Sequence, residues 1–246
     1  MKLVLILLFF FTLSLSASAI EKVESFKICF ERWWPYSYVD DDRYPKGIEV
    51  ETIQLAAQQA GFYIHFIELP YKRCIEEVKS GLQDFSLHVD PTDGLQMLNN
   101  SYTDWELSFA VKKGRFTSLP QLLKAAPRVI LADEYPYPQA VYDKLDSMRA
   151  TVVRRSFYEQ SDEEARAFFS VLDNERVEAI LVDKRWAAKM AKKFNLAVMI
   201  LDEIFHLEPQ FIGFRADRYP QAKKLEQALE RLSTAQKIAI SIKYQE

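Results

Sequence analysis

Residues 28–88 read ICFERWWPYSYVDDDRYPKGIEVETIQLAAQQAGFYIHFIELPYKRCIEEVKSGLQDFSLH. The stretch resolves into a short apolar strand, an aromatic loop, a helix, a second strand, a loop carrying Arg73, a second helix and a third strand. Ile48, Ile53, Leu55 and Ala56 have helical spacing, and Gly61 and Gly81 fall where helix C-caps belong. Strands that alternate with helices imply a parallel sheet. Parallel sheets place ligands just beyond the carboxyl ends of their strands. Here those ends carry Trp33, Trp34 and Tyr36, then Arg73, then His88 with Asp90. Aromatic rings, a cation and short polar groups at one sheet edge predict recognition of a small polar molecule.

Outward from this unit, residues 91–100 hold Pro91, Gly94 and paired Asn and read as a loop. Residues 105–111 are extended, and Lys112-Lys113-Gly114 looks like a crossing point. A second strand–helix unit follows, with helices at 119–125, 139–148, 161–174 and 186–194 and strands at 129–132, 151–155 and 179–183. Extended segments at 198–201 and 209–214 lead to an amphipathic helix at 219–232 and a shorter one after it. The economical architecture is two α/β lobes joined by crossings near 111–115 and 200–209, with the tail from about Phe211 returning to the first lobe. The expected division is 20–112 for the first lobe, 113–200 for the second, and 201–246 for the return. Two crossings make a hinge, and a cleft between lobes can close on a ligand.

The first 19 residues read as a secretory signal: Lys2, an apolar run from Leu3 to Leu15, and Ala17-Ser18-Ala19. The run is short for a bilayer span, so the expectation is cleavage, export to the periplasm of a Gram-negative-type cell, and no stable membrane insertion. Removing Lys2 from 32 basic residues leaves 31 against 35 acidic ones, a charge of −4. That balance argues against nucleic-acid binding. Cys29 and Cys74 are the two cysteines. In an oxidising compartment a bond between the first strand and the second helix is expected, worth roughly 3–4 kcal/mol in the chain-entropy model. His65, His88 and His206 have no metal-ligand spacing, and no cofactor is implied.

The order of these marks resembles the extracellular solute-binding proteins of family 3, the polar-amino-acid type that serve ABC transporters. The marks are Trp33-Trp34-Pro35-Tyr36, Gly47-Ile48-Glu49-Val50, Gly81-Leu82-Gln83-Asp84, Ser101-Tyr102, and the run from Arg176 to Asp183. The resemblance implies a two-lobed, class II periplasmic-binding-protein-like α/β fold, each lobe a mostly parallel sheet flanked by helices. It implies a monomer that captures an amino acid-like solute or a carboxylate and presents it to an ABC permease or a membrane receptor. A same-fold enzyme of the cyclohexadienyl or arogenate dehydratase kind, and a periplasmic sensor, are the alternative readings. Carried over by position, Trp33 looks like the family's stacking aromatic, His88 like part of the polar strand-end segment, and Asp183 like the carboxylate that receives an amino group. The slot of the family's carboxylate-binding Arg holds Leu95 or Gln96. Arg73 is the guanidinium available to replace it. Tyr135, Tyr137 and Tyr158 are candidates for the second lobe's side.

Overall fold

The computed structural model describes residues 24–133, 135, 137–156, 162–174 and 176–244. The expected signal segment and Tyr158 lie outside the described residues. The chain begins with β1 (Ser25–Phe30), a small hairpin of β2 (Tyr38–Val39) and β3 (Pro45–Lys46), α1 (Ile48–Gln59), β4 (Tyr63–Glu68), α2 (Tyr71–Ser80), β5 (Phe85–Ser86) and β6 (Gln96–Met97). It continues through β7 (Thr103–Lys112), α3 (Leu119–Lys124), β8 (Arg128–Ala132), α4 (Gln139–Ser147), β9 (Thr151–Arg155), α5 (Asp162–Phe169), β10 (Ala179–Asp183), α6 (Lys184–Lys193) and β11 (Val198–Ile200). It returns through β12 (His206–Gln210), β13 (Gly213–Phe214), α7 (Tyr219–Glu230) and α8 (Thr234–Ile242).

Two sheets define two lobes. The first runs β4-β1-β5-β13-β6. Its β4, β1 and β5 are parallel, and the returning β13 inserts antiparallel between β5 and β6. The second runs β11-β7-β10-β8-β9, with β12 also on β7. Here β10, β8 and β9 are parallel, while β7 is antiparallel to β10, β11 and β12. In the first lobe Phe26, Phe30, Ile53, Phe62, Phe85 and Leu225 are buried in one core between sheet, α1 and α7. The second sheet is covered on both faces. Alternate residues of β10 divide between the two cores: Ala179 and Leu181 go to one, Ile180 and Val182 to the other. A strand buried on both faces is apolar throughout, which is why 179–182 reads Ala-Ile-Leu-Val.

The passage between sheets differs from the expectation. β7 is one continuous strand: Thr103–Leu107 pairs with β12, and Leu107–Val111 pairs with β10. The chain leaves the first sheet before Thr103, not near 111–115. Lys112-Lys113-Gly114 lies at the far end of the second sheet, where the Lys113 amide donates to the Ala197 carbonyl at 2.9 Å. The compositional break marks a turn, while the true crossing carries no break because its two strands pair with each other.

Cys29 and Cys74 form a disulfide with Cα atoms 5.6 Å apart, tying α2 to β1. Leu95, one of the two residues expected in the slot of the family's Arg, packs on this bridge together with Val78 and Leu69.

Candidate functional site

The aromatic loop after β1 is held by the start of α1. The Ile48 amide donates to the Pro35 carbonyl and the Glu49 amide to the Tyr36 carbonyl, each at 2.9 Å. Two of the orphan donors of a helix N-terminus are thereby satisfied by the loop they position. Gly47 makes this approach possible: its φ is +124°, and a Cβ there would sit 2.1 Å from the Tyr36 oxygen.

The second lobe answers with Asp183, the last residue of β10 and the cap of α6. Asp183 Oδ1 accepts from the Trp186 amide at 2.7 Å. Its Oδ2 accepts from the Tyr36 hydroxyl of the first lobe, also at 2.7 Å. Both side chains are buried. Burial pushes the Asp183 carboxyl up to about 7, against the pull of the Trp186 amide and the Tyr36 hydroxyl. The Tyr36 hydroxyl is raised well above its ordinary value, by burial first and the Asp183 charge second.

Four rings lie nearly parallel across the lobes. Trp33 stacks on Trp105 of β7 at 5.4 Å and 19°, and on Trp186 of α6 at 6.2 Å and 18°. Trp186 continues onto Phe169 at 5.5 Å and 20°. The Trp33 Nε1 is buried and has no hydrogen-bond acceptor among the described residues. Trp34 takes a different partner, the Lys189 ammonium 3.7 Å from its ring centroid. Asp183, Trp186 and Lys189 thus address Tyr36, Trp33 and Trp34 from successive turns of one helix face. Between the lobes, Trp33, Trp105, Tyr135, Tyr137, Trp186 and Asp183 enclose a cavity of about 30 Å³, room for about one water.

Beneath Trp105 lies a buried polar knot. Glu49 accepts from the Trp105 indole and the Tyr102 hydroxyl, each at 3.2 Å. It also pairs with His88 Nε2. The His88 ring meets Trp105 edge-on at 4.8 Å, so His88 orients Trp105 from behind. Along β12, Glu208 lies near Asp90, and burial with that neighbouring charge raises its carboxyl to about 7. Tyr135 is raised well above the ordinary tyrosine value, chiefly by burial, with Glu208 next.

Of the residues singled out in the sequence, Trp33, Tyr36 and Asp183 meet in one place, with His88 behind them and Tyr135 and Tyr137 on the far wall. Arg73 does not join them. It lies on the first turn of α2, its side chain is 66% exposed, and it pairs with Glu77 one turn on at 2.8 Å. A helix puts i and i+4 side by side, and Glu77 takes the guanidinium. Asp90 caps the turn at 91–93, accepting from the Thr92 amide at 2.8 Å and hydroxyl at 2.6 Å. Trp105, Trp186 and Glu49 escaped the sequence reading. A pattern signal did exist for Trp186, which sits one helical turn after the predicted carboxylate.

Two covered sheets, two paired crossing strands and an aromatic seam closed around a buried carboxylate at the strand ends define a two-lobed binding-protein fold. The chain belongs to the bacterial extracellular solute-binding proteins, family 3, whose sequence model matches residues 26–244. Solved structures share the fold. A Salmonella typhimurium periplasmic binding protein described for high arginine specificity is similar at 16% identity and TM-score 0.65, over 91% of this chain and 100% of its own. An ancestral amino acid-binding protein, a precursor of cyclohexadienyl dehydratase, is similar at 19% and 0.63, over 90% and 96%. A histidine kinase sensor domain is similar at 15% and 0.67, over 90% and 96%. Comparison with curated proteins gives no match.

Proposed function

We propose that this protein is a non-catalytic periplasmic binding protein that captures a small amino acid-like solute between its lobes for an ABC permease. The solute's ammonium replaces the Tyr36 hydroxyl on Asp183, and its body lies against the indole rings. The observation that carries this reading is a buried carboxylate set among aromatic faces, a setting that favours a cation by both charge and ring quadrupole. The buried Trp33 Nε1 supplies a donor for an acceptor at the solute's other end. A donor rather than a guanidinium at that position favours an amide, a hydroxyl or a single carboxylate oxygen over a bidentate carboxylate fork. The arginine-binding and amino acid-binding relatives are consistent with an ammonium-bearing ligand.

A thermal-shift screen of amino acids, amines and carboxylates tests this, because whatever binds the native state raises the unfolding temperature. Ammonium-bearing solutes are expected to raise it. A shift confined to carboxylates lacking an amine would refute the reading.

A further inference from the structure

A larger cavity lies on the other side of the hinge. Trp105 and Leu107 of β7 line the seam between the lobes, whereas Asp104 and Glu106 line a separate cavity of about 570 Å³. Alternate strand residues point to opposite faces, so Trp105 and Leu107 turn to the front seam and Asp104 and Glu106 to the rear cavity, while Tyr36 and Glu49 also reach the rear wall. β12 divides the same way: Leu207 lines the rear cavity, while Glu208 and Gln210 act on Tyr135 at the front.

Both lobes and the hinge contribute walls. Arg185 of α6 reaches from the second lobe to α8 of the first, donating to Ser241 Oγ at 2.9 Å. It holds Glu106 only loosely, at 3.7 Å. Lys237 of α8 faces the same space, and among the described residues neither Lys237 nor Asp104 has an ion-pair partner. The wall therefore carries two carboxylates on one strand face and two cations on the opposing helices. Ile204, Leu207 and Ile238 supply aliphatic surface beside them, and all three are exposed. The volume falls within the range of sites that enclose small organic ligands.

We propose that this rear cavity is a second binding site, for an aliphatic zwitterion of about dipeptide size. Its ammonium rests on Asp104 and Glu106, its carboxylate on Arg185 and Lys237, and its side chains on the three aliphatic residues. The walls belong to both lobes, so its occupant biases the hinge and changes the affinity of the front seam by the factor with which the front ligand changes its own.

The test is titration calorimetry of the full chain with the dipeptide Leu-Leu, alongside Asp104→Asn/Lys237→Gln and Asp183→Asn. Saturable binding is expected in the wild type and in Asp183→Asn, with a loss of roughly tenfold or more in the double variant. The double variant is expected to retain front-seam binding of the best amine from the thermal-shift screen. No saturable binding up to about 10 mM, or binding equal in the double variant, overturns the rear site and leaves the front site standing. Loss of dipeptide binding in Asp183→Asn alone assigns the dipeptide to the front seam and likewise overturns it.

Discussion

Asp183 sets the electrostatics of the seam. Its carboxyl rises from an ordinary 3.8 to about 7 on folding, so the folded state holds a proton that the unfolded chain gives up. Between those values the unfolded chain binds fewer protons, and this residue's contribution to stability falls as pH rises from about 4 to about 7, then levels off. Asp183→Asn removes that slope, which denaturant melts at pH 5 and pH 8 measure. An ammonium needs the ionised carboxylate. Affinity for an amine is therefore expected to rise about tenfold per unit as pH approaches 7 from below, and to flatten above it. At pH 8 the same substitution is expected to weaken amine binding by about tenfold to a hundredfold, the value of a hydrogen bond to a charged group. Trp33→Ala removes both the ring face and the free indole donor. It is expected to cost tenfold or more in affinity, at about 0.5–2 kcal/mol for the cation–ring contact alone.

The elements that position these residues differ in how plainly the sequence announces them. α1 and α2 were legible because apolar spacing and a terminal glycine agree in each, and β10 because a strand buried on both faces has a continuous apolar pattern. The sequence puts His88 at the end of the third strand, but the ladder with β1 stops at Ser86. His88 turns to φ +59°, which directs its ring to Glu49 instead of along the edge. Arg73 misled because a strand-end position says nothing about the neighbour one turn further along α2. The ring stack was illegible for a similar reason: Trp33, Trp105 and Trp186 come from three distant segments, and no local pattern joins them. Gly47 gives the sharpest test at this scale. Gly47→Ala drives a Cβ into the Tyr36 carbonyl and forces a left-handed φ on an L residue. A loss of about 1–3 kcal/mol is expected in denaturant unfolding, with weaker amine binding because the Tyr36 loop shifts. Breaking the bridge with Cys29→Ser/Cys74→Ser is expected to cost about 3–4 kcal/mol, read in the same unfolding experiment.

In the whole molecule, the lobes meet along one face of α6, around Trp105 of β7, which packs on Trp33, Tyr36 and His88, and at the Arg185–Ser241 contact with α8. The Tyr36–Asp183 hydrogen bond, the Trp33–Trp186 stack and the Lys189–Trp34 contact are each worth about 0.5–3 kcal/mol. An interface of that size can be biased by a ligand of ordinary affinity. Two paired strands, β7 and β12, join the lobes, and Trp105 of β7 faces the front seam while Asp104 and Glu106 face the rear cavity. The central claim is that an ammonium takes over the Asp183 carboxylate. Calorimetric titration with an amine at pH 6, in two buffers of different ionisation enthalpy, counts the protons released on binding. The account predicts release of close to one proton per molecule bound, falling toward zero at pH 8 and absent in Asp183→Asn. Binding at pH 6 with no proton release, or with release unchanged in Asp183→Asn, would contradict it.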